Sequence, residues 1–136
     1  MNDISLDTNV LVYLYDASQH EKRHLSEIIL SSNPVISTQV VSEFINVTKR
    51  NLKLPKKDLL HKCNQVFSRC EIVSVDQKML DNALYLVKKY DFQIFDSIII
   101  SSTLAAGCRT LYSEDFQHNQ VIEGKLTIIN PFLEPQ

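Results

Sequence analysis

At 136 residues and 15.6 kDa, with 44% hydrophobic and 22% charged residues, the chain has the size and make-up expected of one soluble globular domain over 1–136. A formal net charge of -2 excludes a globally basic nucleic-acid binder, so any grip on phosphates must use a local basic cluster. No apolar run approaches the roughly 20 residues that span a bilayer, and MNDISLDTN lacks the basic and long apolar parts of a secretory signal; no membrane contact and a cytoplasmic location are expected.

Ile4 to Leu6 reads as a short apolar strand closed by Asp7-Thr8-Asn9, and VLVYLYD from Val10 as a short helix to about Asp16. Ser18, with Glu21 three residues on, fits a capping box for a second helix that carries Leu25, Ile28 and Ile29 and ends near Ser31. Asn33-Pro34 marks a turn before a brief strand at Val35-Ile36. Ser37 or Thr38 then caps a helix to about Asn51, with Val40, Val41, Phe44, Ile45 and Val47 as its apolar arc. Pro55 breaks that pattern and admits another helix over about Lys56 to Ser68. A strand over Glu71 to Val75 follows, then an Asp76-capped helix from Gln77 to Tyr90. Phe95 or Asp96 opens a very apolar helix that stops at Gly107. Arg109 to Tyr112 and Leu126 to Ile129 read as the last strands, and the tail from Pro131 as loosely held.

Short strands separated by helices, often in pairs, predict an α/β fold: three layers, α/β/α, around a short, mainly parallel sheet of four to five strands. Ligands in such sheets sit beyond the carboxyl ends of the strands. Asp7 immediately follows the first strand, and Asp115 lies three residues after the fourth. Asp96 begins a helix, and Glu43 lies about one turn into another, just outside its apolar arc. Gathered at one sheet edge, four such acids repel one another unless a hard divalent cation, which takes oxygen ligands, sits among them. Singly, each has a plain reading: Asp7 as a turn or cap residue, Asp96 as a helix cap, Glu43 as a solvated helix residue, Asp115 as turn chemistry.

Taken together, the contexts ISLDTNVLVY, STQVVSEF, FDSIIISS and LYSEDF, in that order and at those intervals, resemble the PIN-domain ribonucleases, including the VapC-like toxins. The resemblance spans about residues 3 to 132; a strand ending in D-T-N is its most specific part, and Asn130-Pro131-Phe132 is similar to one branch of the superfamily. It implies that Asp7, Glu43, Asp96 and Asp115 form an acidic site for Mg²⁺ or Mn²⁺, with Asp7 and Asp96 as the foremost direct ligands. It further implies that Ser113 orients a carboxylate or water, and that Thr8 and Asn9 hold Asp7 in place. Glu114 adds an acid beside Asp115, and the S-x-D spacing favours Asp115. The activity so implied is metal-dependent endoribonuclease, with water attacking a phosphodiester while the cation offsets charge on the phosphoryl oxygens. The toxin half of a toxin–antitoxin pair, restrained by a small antitoxin and paired with itself as a homodimer, is the matching biological role. A housekeeping RNA-processing nuclease of the same fold and a silent module that binds RNA or protein are the alternatives; four intact acids count against the silent one.

Lys49, Arg50, Lys53, Lys56 and Lys57 form a basic run without an acid, which is either an RNA-binding rim or a solvated connection between helices. Tyr13, Tyr15 and Phe116 are candidates for base stacking or for core packing. His20-Glu21-Lys22-Arg23-His24 matches the short HExxH pattern but has no third ligand at a conventional distance, so a charged helix start is its plain reading. An aspartyl phosphatase is disfavoured because Asn9 stands where a second Asp is needed. Cys63, Cys70 and Cys108 form no CxxC and read as packing residues.

Overall fold

The computed structural model describes residues 3–133. β1 (Ile4–Leu6) leads into α1 (Thr8–Val12), a 3-10 turn (Tyr13–Tyr15) and α2 (His20–Leu30). β2 (Val35–Ser37) is followed by α3 (Thr38–Leu52) and α4 (Lys56–Phe67), then β3 (Glu71–Val73) by α5 (Gln77–Tyr90) and α6 (Ile94–Ala105). β4 (Thr110–Tyr112) and a hairpin of β5 (Val121–Ile122) and β6 (Leu126–Ile129) complete the sheet.

The strand order is β3-β2-β1-β4-β6-β5, and every neighbouring pair is parallel except β5 with β6. Parallel neighbours need crossovers; helices supply those from β1 to β2, β2 to β3 and β3 to β4, while the loop after β4 and β5 lead to β6. The chain steps outward from β1 to β2 and β3, then returns to the other side of β1 as β4. That reversal makes the β1/β4 boundary the switch point of the sheet, the place beside which open α/β sheets bind their ligands. Register places Leu6 beside Tyr112, and the Asp7 amide donates to the Tyr112 carbonyl at 3.0 Å. Asp7 and Ser113 therefore leave the sheet side by side.

Both faces of the central strands are covered. Ser5 turns toward α6, where its hydroxyl lies 3.1 Å from that of Thr103, so its neighbours Ile4 and Leu6 face the opposite layer. Fully buried Phe44 joins α3 to the 3-10 turn and α4 through ring contacts with Tyr15 (6.3 Å between centroids) and Phe67 (5.7 Å). Helix α6 is buried from Ser97 to Thr103, as its nearly uniform apolar sequence requires. Its small hydroxyls bond to backbone, Ser97 to the Ala83 carbonyl at 2.7 Å and Ser101 to that of Met79 at 2.6 Å, so α6 lies close along α5. Among the described residues, no helix is long and apolar enough to cross a membrane.

The expected caps at Ser37 and Asp76 are present, accepting from the amides of Val40 at 3.2 Å and Met79 at 2.9 Å. Gly107, at φ +78°, ends α6, and Gly124, at φ +63°, turns the β5–β6 hairpin. Several expectations shift. Ser18 does not cap α2; its amide and hydroxyl are both held by the Asp16 carboxylate, at 3.0 and 2.6 Å, in a local Asx-type turn. Helix α1 starts at Thr8 rather than Val10, and tightens to a 3-10 turn at Tyr13. β3 ends at Val73, and the Val75 amide bonds to the Thr38 hydroxyl at 3.1 Å instead of continuing the ladder. α6 begins at Ile94, which puts Asp96 in its first turn and not at its cap. β5, a sixth strand of two residues, is too short to show a period in sequence. Phe132, in the tail, packs edge-on against Tyr13 at 5.1 Å between centroids; residues 134–136 lie outside the described residues.

Replacing Phe44 by Ala should lower stability by about 3–5 kcal/mol in urea denaturation, since a filled aromatic site becomes a cavity. A loss under about 1 kcal/mol would mean that this ring does not tie α3, the 3-10 turn and α4 together.

Candidate functional site

Asp7 leaves β1 in extended conformation (φ -80°, ψ 162°) and caps α1, with Oδ1 accepting from the Thr8 amide at 2.7 Å. Its Oδ2 accepts from the Ser113 hydroxyl at 2.6 Å, across the β1/β4 boundary. Ser113 Oγ in turn accepts from the Asp115 amide at 3.1 Å, which folds the loop after β4 over the strand ends. The first turn of α1 also serves the other acids. Thr8 Oγ1 donates to Glu43 Oε2 at 2.5 Å, and Asn9 Nδ2 lies 3.4 and 3.5 Å from the two oxygens of Asp115. Gln39, one turn before Glu43, donates to Glu43 Oε1 at 3.2 Å. Asp96 is half-buried in the first turn of α6 and has no hydrogen-bond partner among the described residues.

Thr8 and Asn9, expected to serve Asp7, thus divide their work: only the Thr8 amide holds Asp7, while the two side chains hold Glu43 and Asp115. Gln39 was not foreseen, though its place four residues before Glu43 on one helix face was the available signal. Glu114 turns elsewhere, accepting from the Tyr13 hydroxyl and lying 3.1 Å from Lys22 Nζ.

Asp7 is only 3% exposed, and burial pushes its pKa from 3.8 up to about 7. The Ser113 hydrogen bond opposes that rise, while the charges of Asp115 and, less strongly, Asp96 add to it. Asp96 is raised by burial first, then by Asp115 and Glu43. All four acids picked from sequence therefore act on one another at the strand ends. Among the described residues, no lysine or arginine forms an ion pair with any of them.

Lys49, Arg50 and Lys53 are exposed at the far end of α3, where Lys53 closes the helix at φ +49°. Cations there also suit the helix dipole. Arg50 lies seven residues after Glu43, two turns along the same face and about 10 Å away. His20, Glu21 and His24 are exposed at the start of α2. Among the described residues, no three His, Cys, Asp or Glu side chains already converge on one point, either there or at the acidic edge.

The PIN domain family model matches residues 4–123. The chain belongs to the PIN domain family. Three solved structures show the same fold. A chain of a toxin–antitoxin complex from Klebsiella pneumoniae matches this PIN domain with a TM-score of 0.70 and 17% identity, covering 95% of this chain and 97% of that one. Mycobacterium tuberculosis VapC20, described as a sarcin-ricin loop cleaving toxin, matches at 0.64 and 16%, covering 82% and 89%. A chain of Rickettsia felis VapBC2, bound to a DNA fragment from its promoter, matches at 0.63 and 22%, covering 85% and 89%. No curated protein matches the chain.

PIN domains are typically nucleases and generally depend on metal. The donors at the strand ends of this one fit such an ion. All are carboxylate oxygens, the hard ligands that Mg²⁺ and Mn²⁺ prefer. Mg²⁺ commonly takes one or two carboxylates directly and keeps several waters. Acids close enough to interact, yet not closed into a cage, match that habit. Asp96, without a donor among the described residues, and Asp7, costly to ionise where it sits, have the most to gain from a cation.

In chelator, a neutral Asp7 should contribute stability that is complete below about pH 4 and lost as pH rises to about 7, because its folded pKa is the higher one. Asp7→Asn should remove that slope and stabilise the metal-free protein at pH 8 by on the order of 2 kcal/mol. Parallel pH–stability curves for the two proteins would show that the buried carboxylate costs nothing.

Proposed function

We propose that this chain acts as a single nuclease domain over 1–136, a divalent-cation-dependent endoribonuclease and the toxin of a toxin–antitoxin pair. The observation that carries the reading is the set of Asp7, Glu43, Asp96 and Asp115 at the sheet's switch point, mutually repelling and without a basic partner among the described residues. Mg²⁺ or Mn²⁺ bound there supplies a lowered water pKa and a counter-charge for the phosphoryl oxygens. The chain's own part is to hold and orient. Ser113 and the Thr8 amide fix the Asp7 carboxylate, the Thr8 hydroxyl and Gln39 fix Glu43, and Asn9 steadies Asp115. Asp96 is held by its place in α6, which the core fixes on nearly every side. In this reading Asp7 and Asp96 bind the ion directly, and Glu43 and Asp115 act through water or a second ion.

The substrate is single-stranded or exposed RNA, held in part by the exposed basic end of α3, with Arg50 best placed to meet a strand that leaves the acidic edge. The toxin role draws on the fold's likeness to chains from toxin–antitoxin complexes and to a toxin described as cleaving an RNA loop. A small antitoxin that covers the cleft, a homodimer and a cytoplasmic setting complete the proposal.

With Mn²⁺, purified protein should cleave a mixed RNA pool, and chelator should stop cleavage without unfolding the domain. Asp96→Asn should lower the rate at least about 100-fold, as loss of a charge-stabilising group at a phosphoryl site does. An intact RNA pool, or an Asp96→Asn variant as active as wild type, would sink the nuclease reading. Arg50→Ala should weaken RNA binding and reduce its logarithmic salt slope by about 1, the value of one lost phosphate contact. An unchanged slope would remove Arg50 from the binding surface.

A further inference from the structure

The loop after β4 presents four successive side chains, each tied to a different part of the molecule. Ser113 bonds to Asp7, and Asp115 reaches back to Asn9. Phe116 packs edge-on against Phe92, 5.3 Å between centroids, and Phe92 stacks on Tyr90 at 5.2 Å. Glu114 is held on the remaining side. It accepts from the Tyr13 hydroxyl, and Lys22 Nζ lies 3.1 Å from its Oε2 and 3.2 Å from the Tyr13 oxygen. The Lys22 ammonium also sits over two aromatic rings, 4.7 Å from the centroid of Tyr13 and 5.4 Å from that of Phe132. The side chains of Lys22 and Glu114 are 31% and 20% exposed, so this pair is shielded more than a surface ion pair.

We propose that Lys22 and Tyr13 clamp Glu114 so that its neighbour Asp115, and not Glu114, faces the acidic edge. Lys22 is thus a positioning residue for the cation site, 93 positions or so distant in sequence from the acid it aims. Two adjacent acids on one loop compete for the same space. Lys22 neutralises one and anchors it, and the Ser113–Asp115 and Asn9–Asp115 contacts then fix the other. Released, Glu114 could swing toward the edge and draw Asp115 off Asn9. This inference rests on the reading of the edge as a cation site.

The direction of one effect separates the clamp from simple electrostatics. Removing a lysine near a cation site should tighten cation binding if charge alone matters, whereas loss of the clamp should weaken it. Two measurements on metal-free protein test this: Mn²⁺ affinity from the resonance of free ion, and hydrogen exchange at the Asp115 amide. Lys22→Met and Glu114→Gln should each weaken Mn²⁺ binding about tenfold and speed that exchange by a similar factor, the scale seen when a supporting partner of a metal ligand is lost. The double variant should be no worse than either single one, because both remove the same contact. Lys22→Arg, which keeps the charge and a donor toward Glu114, should lose less Mn²⁺ affinity than Lys22→Met. Unchanged or tighter Mn²⁺ binding by Lys22→Met would overturn the clamp, and losses that multiply in the double variant would make Glu114 a ligand in its own right. If wild type takes up no Mn²⁺, the cation reading fails by itself. Exchange at Asp115 then still decides the clamp, which is overturned if Lys22→Met leaves it unchanged.

Discussion

A carboxylate carried by the central strand into the interior sets the terms for everything around it. Asp7 is buried against β4, and its two oxygens are met by a hydroxyl and a backbone amide, not by an opposite charge. Two neutral donors offset only part of the cost of an ionised group in a low-dielectric setting. Protonation or a nearby cation would relieve that cost, and the charges of Asp115 and Asp96 add to it. A core built for stability alone would place an apolar residue here. The same Ser113–Asp7 bond links β1 and β4 beyond their ladder, so the group that strains the electrostatics also closes the switch point.

Around Asp7 the work of positioning is shared between short-range and long-range partners. The first turn of α1 acts as a hub, with Thr8 and Asn9 reaching acids delivered by α3 and by the loop after β4. α6 contributes in another way. Its seven successive buried residues and its hydroxyls bonded to α5 fix the helix from the core outward, so Asp96 inherits a set position without a donor among the described residues.

The sequence made the layout legible where the signal is local. Alternation of short apolar runs with helical periods gave the parallel α/β arrangement, and Ser37, Asp76 and Gly107 marked helix ends correctly because caps and left-handed terminators act within a few residues. The acids were visible because each borders an apolar element. Which donor serves which acid was not, since Thr8 and Glu43 are 35 residues apart and Asp7 and Ser113 are 106 apart. Ser18 misled for a related reason: it has the right chemistry for a cap, but Asp16 two residues earlier competes for it. The S-x-D spacing favoured Asp115 over adjacent Glu114, but the partner that holds Glu114 aside, Lys22, comes from a distant helix and left no local signal.

The chain's two glycines sit where α6 ends and where the β5–β6 hairpin turns. Residues 7–9 and 113–116, which frame the acidic edge, contain neither a glycine nor a positive φ. Such a rim has no swivel joint in its main chain. Adjustment at this edge is left to side-chain rotamers, which turn without moving the main chain.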